Sequence, residues 1–397
     1  MAFIMRLIAL SGCLAIANLP FRKIYSANET FIMNSLLSEK QYDIAVIGAG
    51  IAGSYCADRL QAANLQVCII DKSRGTGGRA SSKRLSNGNA PAHTHASAHA
   101  NAGTPSSCEL GAPFFHLEDQ QLVASVNRWL AAGVIAPWPV ADQKNQRAFT
   151  GTPTMSALTR HLIRHCDFFG SEKISIIERD SAGWRLLNDT YQCRIQAKRL
   201  IITAPAAQSA ILLSGSVAPE AWLLDAHRAS LVCAPQWATV ISPSLDLVLS
   251  QAQIDALQAL PAVVECRAGP IARIICDSQK PQRNSFQTRW VLQADQDWSQ
   301  RMIEADNQWI SEQLIQVFTH WLNDQQDYRF EAADFSSLPA HRWRLGRHHS
   351  NAAASSLDYR WCETLGLAIA ADWLGEGSVY AAMQSADNLV KAILASE

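Results

Sequence analysis

The stretch DIAVIGAGIAGSYCADRLQAANLQVCIIDKSRGTGGRA, residues 43–80, decides the fold of this chain. Residues 43–47 are apolar and rich in β-branched side chains, which predicts a buried strand. Three glycines follow, then a helical segment to about Ala63 and a second apolar run, 66–70, that leads into Asp71. Strand, glycine turn, helix, strand and acid in this order predict a βαβ unit that binds a dinucleotide.

Each glycine of this turn has its own expected role. Gly48 permits the tight turn, and Gly50 lets backbone N–H groups approach a pyrophosphate. Gly53 lets the helix pack closely on the sheet, so that the helix N-terminus faces the phosphate charge. We expect Asp71 to accept hydrogen bonds from the ribose hydroxyls. The remaining residues of the turn belong to the same expected contact set: Ala49, Ile51 and Ala52.

The composition argues against several classes of partner. The 397 residues are 48% hydrophobic and 17% charged, which is ordinary for a globular protein, and their number predicts two domains. A formal net charge of −1 gives no reason to expect a nucleic acid or a membrane surface as partner. The ten cysteines show neither CxxC nor zinc spacing, so we expect reduced thiols and no metal site.

Residues 1–40 allow two interpretations. The run MRLIALSGCLAIANL looks like a lipoprotein signal with Cys13 as the lipidated residue, and it is too short to span a bilayer. Alternatively, synthesis begins at Met33 and leaves a short polar lead into the first strand. We favour the second interpretation and a cytoplasmic location over lipoprotein-like export. In either case residues 1–40 are an N-terminal extension outside the catalytic fold.

Residues 86–107, SNGNAPAHTHASAHANAGTPSS, form a low-complexity insert. Histidine is a common metal ligand, and the insert contains three: His93, His95 and His99. A segment so rich in Ala, Ser, Asn and Gly cannot hold a rigid ligand geometry, so we predict a solvated loop.

Two further motifs distinguish a short dinucleotide from a longer one. Directly after the acid that ends the second strand, KSRGTGGRA places Gly77 and Gly78 before Arg79, which adds backbone N–H groups and a guanidinium for the same pyrophosphate. Near the C-terminus a strand is predicted to end at Asp372, and after two more glycines a helix starts near Ser378. Asp372 can hold ribityl hydroxyls, and the helix N-terminus can stabilise negative charge on a reduced isoalloxazine. A nicotinamide cofactor is too short to need both segments, whereas FAD is long enough.

With these motifs the sequence resembles the renalase-like family of FAD-dependent oxidoreductases, within the wider class of amine-oxidase-like flavoproteins. The match runs from about residue 42 to the end. It rests on these segments: VIGAGIAG, DKSRGTGGR, LGAPFF, AAGVIAPW, GPIARIICDSQKPQR, WVLQADQDWSQRMIE, HRWR and AADWLGEGSVYAA. The first two are shared across flavoproteins, and the others are more specific to this family.

The resemblance implies an α/β fold similar to p-hydroxybenzoate hydroxylase, with a Rossmann-type FAD-binding domain and a discontinuous second α+β substrate domain. The expected FAD-binding domain comprises 41–111, 151–215 and 335–397. The expected substrate domain comprises 112–150 and 216–334.

The resemblance also implies an activity. Relatives oxidise isomeric dihydronicotinamides, the 2- and 6-dihydro forms of NAD(P)H, to NAD(P)+ by hydride transfer to flavin N5, and pass the electrons to molecular oxygen to give hydrogen peroxide. Two alternatives stay open: a flavin amine oxidase, and a flavin-bound protein with a binding or signalling role and no catalysis. The expected small-molecule substrate is accordingly a dihydronicotinamide dinucleotide or an amine.

Carried over by position, the resemblance gives an expected set of FAD contacts. Beyond the first glycine turn they are Asp71, Lys72, Arg74, Gly77, Gly78, Arg79, Pro113, Phe114, Asp372, Gly377, Ser378 and Val379. The sequence departs from the family pattern at Pro113, Glu376 and Tyr380. Pro113 removes a backbone N–H, and we expect Glu376 to face solvent.

The catalytic residues are unknown at this stage, because hydride transfer from a dihydropyridine requires no acid or base from the protein. His341, Arg342 and Trp343 are the candidates on the substrate side. A second set could contact substrate phosphates: Arg273, Lys280 and Arg283.

Overall fold

A computed structural model of the chain describes residues 41–85, 107–117, 122–143, 146–244, 249–283, 288–325, 328–348 and 357–396. Residues 1–40, with Cys13 and Met33, lie outside the described residues. So does most of the insert at 86–107, with His93, His95 and His99.

The strands of the described residues belong to four sheets. In chain order they are β1 Tyr42–Ile47, β2 Val67–Asp71, β3 Lys83–Arg84, β4 Ser107–Cys108, β5 Phe115–Leu117, β6 Ile135–Pro137, β7 Arg147–Gly151, β8 Asp167–Gly170, β9 Ile176–Asp180, β10 Gly183–Leu187, β11 Cys193–Ile202, β12 Cys233–Pro243, β13 Val263–Glu265, β14 Ile271–Cys276, β15 Trp290–Ala294, β16 Phe335–Ser337, β17 His341–His348, β18 Tyr359–Cys362 and β19 Leu367–Ala370.

The described residues also form nine α-helices. They are α1 Ile51–Ala62, α2 Val123–Ala131, α3 Met155–Leu162, α4 Ala206–Ser214, α5 Glu220–Leu231, α6 Gln251–Gln258, α7 Gln296–Arg301, α8 Asn307–Gln325 and α9 Val379–Ala395. None of these helices is both long and apolar enough to cross a membrane.

The first sheet has eight strands and is built around the βαβ unit. Its main path runs β18-β19-β11-β1-β2-β8, and β10 and β9 extend it from β11. Strands β19, β11, β1, β2 and β8 are parallel. Such strands are buried on both faces, and β1 is accordingly an apolar run throughout. Helices α1 and α9 share a core with one face, and α4 and α5 share a core with the other.

The second sheet has six strands and is antiparallel. Its path is β13-β14-β15-β12-β16, and β17 also pairs with β12. One face packs on α8 in a core that contains Trp290 and Phe318. The other face packs on the segment from Leu110 to Phe114 and on Trp138. That segment contacts the second glycine-rich turn, where Ala112 donates its N–H to the Arg79 carbonyl at 2.9 Å, so the second face lies beside the expected cofactor region.

The strand pairing differs from the expected domain division at two places. Strands β16 and β17 pair with β12, so residues 335–348 lie in the second sheet and not with the rest of 335–397. Helix α5 shares a core with the first sheet, so the beginning of 216–334 lies there. The chain crosses between the sheets within these segments, and local sequence does not reveal on which sheet a strand is hydrogen-bonded.

Between β15 and β16 the chain forms two consecutive helices, α7 and α8. Asp295 caps α7 by accepting the N–H of Trp298 at 2.9 Å. Asp306 then accepts the N–H groups of Gln308 at 2.8 Å and Trp309 at 3.0 Å, and so begins α8. Asp306, which lies between the two helices, is the sequence signal for the break.

Candidate functional site

The first glycine turn is crowded on one side and open on the other. Gly48 has a φ of +109° and donates its N–H to the Ile70 carbonyl at 2.8 Å. A Cβ on Gly53 would lie 2.0 Å from the Gly48 oxygen and 2.7 Å from Thr203 Oγ1. A Cβ on Gly50 would meet nothing within 4 Å. The turn therefore has the close helix–strand packing and the open approach at the start of α1 that a dinucleotide phosphate requires.

Asp71 stabilises this turn. Its Oδ2 accepts the N–H of Ala49 and its Oδ1 accepts the N–H of Ser73, both at 2.7 Å. Each carboxylate oxygen has a second lone pair, so these bonds leave room for hydroxyl donors. The ribose contact stays a prediction, and a structural role in holding the turn is added to it.

The second glycine element lies against the first. The N–H of Gly77 donates to the Ala49 carbonyl at 2.8 Å, and its φ of +113° requires glycine. A Cβ on Gly78 would come within 3.5 Å of Gly50 Cα. The two turns thus lie side by side at the N-terminus of α1. Two further candidates are exposed in the loop between them: Lys72 and Arg74.

An ion pair joins the second glycine element to the C-terminal motif. Arg79 Nη2 lies 2.6 Å from Asp372 Oδ1, and Asp372 is buried. The strand before Asp372 ends at Ala370, two residues earlier than predicted, and Asp372 opens a short 3-10 turn. The N–H of Gly377, whose φ is +73°, donates to the Asp372 carbonyl at 3.1 Å.

Helix α9 begins where the sequence predicts it. Ser378 is its N-cap and accepts the N–H of Ala381 at 3.0 Å. Val379 is the first helical residue and packs against the core shared with α1. Glu376 is exposed, so the prediction that it faces solvent is confirmed. Tyr380 also packs on that core.

The segment after β4 lies against both sheets. The N–H of Ala112 donates to the Arg79 carbonyl at 2.9 Å, and a Cβ on Gly111 would lie only 1.9 Å from that oxygen. Pro113 accepts a hydrogen bond from Thr150 Oγ1 at 3.2 Å. Phe114 is buried, with its ring 5.4 Å from the Trp138 ring and the Arg273 guanidinium 5.6 Å from its centroid. The flavin contacts of Pro113 and Phe114 stay predictions.

The HRW motif does not act as a unit, because alternate residues of a strand point to opposite faces. The face of the second sheet that packs on Leu110–Phe114 is called the inner face, and the face that packs on α8 the outer face. His341 and Trp343 have their rings 4.3 Å apart, and Trp343 approaches Gly111 on the inner face. Arg342 lies on the outer face, where it donates to Glu304 Oε2 at 2.9 Å and its guanidinium lies over the Trp237 ring. Two of the three catalytic candidates, His341 and Trp343, therefore lie beside the site, whereas Arg342 faces away from it.

The surroundings of His341 favour its neutral form. Burial, and then the nearby charge of Lys83, lower the pKa of its imidazole below the usual value. A neutral ring beside Trp343 adds polarity to the inner face without adding a charge.

Lys280 and Arg283 do not face a substrate. Lys280 Nζ lies 2.7 Å from Glu109 Oε2 and 2.6 Å from Asp277 Oδ1, and Arg283 also binds Glu109. Two acids and two bases are therefore neutralised together in the interior, with Lys280 and Glu109 fully buried. The idea that Lys280 and Arg283 contact substrate phosphates is wrong, because both side chains are buried inside this network, where they bind its acids. Arg273, the third residue of that set, lies outside this network and pairs with Glu265.

Burial alone would raise the pKa of Glu109, but the charges of Lys280 and Arg283 lower it to about 2. Its Oε1 also accepts from Ser82 Oγ at 2.9 Å and from the N–H of Met155 at 3.2 Å. The network therefore ties the segment before Gly111 to the loop after β14.

Sequence reasoning missed Glu109, Thr203 and Gln293. Thr203 Oγ1 donates to the carbonyls of Ile47 and Gly48 at 2.9 and 3.1 Å and so supports the first turn. Gln293 is fully buried, and its amide donates to the carbonyls of Leu110 and Gly111. Two polar residues in apolar surroundings were usable signals: the glutamine in WVLQA and the glutamate directly before LGAPFF.

Two buried polar atoms beside Gly111 have no hydrogen-bond partner among the described residues: Gln293 Oε1 and Trp343 Nε1. Buried polar atoms are nearly always paired, so these two indicate a place where a bound molecule supplies partners. Together with the open approach at Gly50, they fit a long dinucleotide that runs from the glycine turns toward the second sheet.

Residues 46–127 match the family model described as an NAD(P)-binding Rossmann-like domain. Several solved structures are similar over almost the whole chain. A candidate protoporphyrinogen oxidase from Exiguobacterium sp. 255-15 matches with a TM-score of 0.62 and 11% identity, covering 91% of this chain and 100% of its own.

Two amine oxidases match in the same way. Putrescine oxidase bound to putrescine has a TM-score of 0.55 at 11% identity, covering 90% of this chain and 99% of its own. Cyclohexylamine oxidase from Brevibacterium oxydans IH-35A has a TM-score of 0.55 at 12% identity, covering 89% and 100%. The chain has the fold of these oxidases. The expected fold class, an α/β Rossmann-type domain with a second domain, is confirmed.

Proposed function

We propose that this protein is a renalase-like, FAD-dependent oxidase that converts 2- or 6-dihydroNAD(P) to NAD(P)+. The observation that carries the cofactor assignment is the ion pair between Arg79 and Asp372, 2.6 Å long. It brings the glycine turns at α1 together with the capped start of α9. One cofactor can therefore contact both places, as FAD is proposed to do.

The residues proposed to hold FAD fall into three groups. The glycine turns Gly48–Gly53 and Gly77–Gly78, with Asp71 and Arg79, serve the adenosine and pyrophosphate. The segment at Gly111–Phe114 lies beside the middle of the site. Asp372 and the turn Gly377–Val379 serve the ribityl chain and the pyrimidine end.

When bound, FAD supplies a hydride acceptor at N5 and returns two electrons to oxygen, so that dihydroNAD(P), O2 and one proton give NAD(P)+ and H2O2. The contribution of the chain is to position the substrate and exclude water. Trp343 and neutral His341 form part of the inner face of the second sheet, where the substrate is proposed to lie. No acid or base is required of them for hydride donation.

A flavin amine oxidase is the second candidate, and the shared fold with putrescine oxidase and cyclohexylamine oxidase favours it. The two candidates differ in the charge of the substrate. An amine is cationic, whereas a dihydronicotinamide dinucleotide carries a pyrophosphate.

The experiment is anaerobic mixing of the purified full-length protein with single reductants. A flavin gives an absorption band near about 450 nm that bleaches on reduction. We expect 2- or 6-dihydroNAD(P) to bleach it within the turnover time, and NAD(P)+ and hydrogen peroxide to form in equal amounts on admission of air. Rapid bleaching by putrescine or cyclohexylamine alone would replace this proposal with the amine oxidase. A protein purified without any bound flavin or adenine nucleotide would contradict both.

A further inference from the structure

One row of paired residues crosses five strands of the second sheet. In order across the sheet its members are Glu265, Arg273, Gln293, Ala238 and His341. Residues that pair directly on neighbouring strands point to the same face. Gln293 identifies this as the inner face, because its amide reaches Leu110 and Gly111.

Arg347 adds a second guanidinium to the inner face. Trp343 pairs with Gln236, and Arg347, four positions further along β17, pairs with Ala234 beyond a bulge in the strand. Burial, and then the charge of Arg273, lower the pKa of Arg347, while the Glu265 carboxylate raises it, so the Arg347 guanidinium lies near the Arg273–Glu265 pair of the row. Within the part of the chain that is described, no carboxylate lies within ion-pair distance of Arg347.

The positive charge of this face is only partly matched. Arg273 Nε lies 2.6 Å from Glu265 Oε1, and the Glu265 side chain is 55% exposed. Two guanidinium groups therefore share one solvated carboxylate, whereas the buried network around Lys280 contains one acid for each base. Lys83 adds further positive charge close to His341.

An excess of positive charge favours anions and disfavours cations by direct electrostatics. Guanidinium groups are suited to phosphate and carboxylate oxygens, because they donate paired N–H bonds in a fixed plane. The arrangement is therefore unfavourable for an ammonium group at the same place.

We propose that this surface, made of Arg273 and Arg347 around Gln293, binds an anionic group of the substrate, a phosphate or a carboxylate. The inference rests on the proposed function and deepens it. It assigns to Arg273 and Arg347 the recognition of the pyrophosphate of a dihydronicotinamide dinucleotide, and it makes a cationic amine a poor substrate.

The test is calorimetric titration of the flavin-loaded full-length protein with non-reducing probes: NAD+, inorganic pyrophosphate, glutarate and putrescine. We expect NAD+ and pyrophosphate to bind, and Arg273→Met and Arg347→Met each to weaken them about tenfold or more. Arg344→Met is the matched control. Arg344 is on the same strand as Arg347 but pairs with Glu304 on the outer face, so its loss should leave both affinities unchanged.

The probes distinguish the sources of the anion. Tighter binding of pyrophosphate than of glutarate supports phosphate, and the reverse order supports a carboxylate substrate. Arg273→Lys and Arg347→Lys keep the charge and are expected to retain part of the affinity, which guards against a variant that merely fails to fold. Equal losses in Arg344→Met, or putrescine binding tighter than pyrophosphate binding, would overturn the inference.

The outcome separates this inference from the proposed function. Arginine-dependent anion binding without flavin reduction by dihydronicotinamides would refute the proposed substrate and leave the anion surface standing. Flavin reduction that is equally fast, with unchanged KM, in the Arg273 and Arg347 variants would refute the anion surface alone.

Discussion

Arg79 and Asp372 are 293 residues apart in sequence, and their side chains form an ion pair of 2.6 Å. The pair is largely shielded from water, with 28% of the Arg79 side chain and 10% of the Asp372 side chain exposed. It connects the two places that the sequence predicts to hold opposite parts of one cofactor.

Asp372→Asn should weaken flavin binding and leave the fold intact, because asparagine keeps the size of the side chain and loses its charge. A hydrogen bond to a charged group contributes about 1.5–3 kcal/mol, so the cofactor Kd should rise about tenfold or more. The measurement is flavin retention on dialysis. Lys198→Met is the control, since it breaks an exposed pair with Asp43 and should leave flavin content unchanged. Equal retention in both variants would contradict the role of Asp372.

Gly50→Ala and Gly53→Ala should have different effects, although both belong to one motif. A methyl on Gly50 points into open space, so the melting temperature of the cofactor-free protein should stay unchanged while flavin binding falls about tenfold or more. A methyl on Gly53 would collide with the Gly48 carbonyl, so Gly53→Ala should lower the free energy of unfolding by about 3 kcal/mol. Thermal melting of both cofactor-free variants checks this. A stable Gly53→Ala protein would show that the Gly48 carbonyl does not lie against position 53.

Lys280→Met should strongly destabilise the protein. It leaves Glu109 and Asp277 buried with Arg283 as their remaining positive partner, and breaking a buried pair costs about 3–5 kcal/mol. Arg185→Met breaks an exposed pair with Glu178 and should cost less than about 1 kcal/mol. Denaturant unfolding of the two variants gives the comparison. A Lys280 variant as stable as the Arg185 variant would mean that the network is not formed.

The same network predicts that the free energy of unfolding falls at acidic pH. The pKa of Glu109 is about 2 in the folded protein against an ordinary 4.5. A lowered pKa contributes stability that is fully present above about pH 4.5 and is lost as the pH falls toward 2. The stability difference between wild type and Glu109→Gln should therefore shrink over that interval. A difference that stays constant from pH 5 to pH 2.5, about the range of the titration, would contradict the assignment.

The first βαβ unit could be predicted from sequence because its signals are local. The alternation of apolar runs and glycines gives β1, β2 and the end of α1 to within one residue, and the serine before the last helix gives the start of α9. In these elements the secondary structure of each residue follows from the residues next to it in the sequence.

The buried network could not be predicted, because its members come from distant segments. Glu109 meets Lys280 across 171 residues, and nothing near either residue indicates the other. The separation of Arg342 from His341 and Trp343 was in principle predictable, since adjacent strand residues face opposite ways. The missing information was that the motif forms a strand of the second sheet.

The first sheet also has a consequence for how the protein folds. Strand β19 is an interior strand, next to β11, and comes from residues 367–370, whereas β1 begins at residue 42. Contacts between such remote segments form slowly, because a long stretch of chain must be restrained first. Refolding from denaturant should therefore regain helical signal well before it regains the ability to take up flavin.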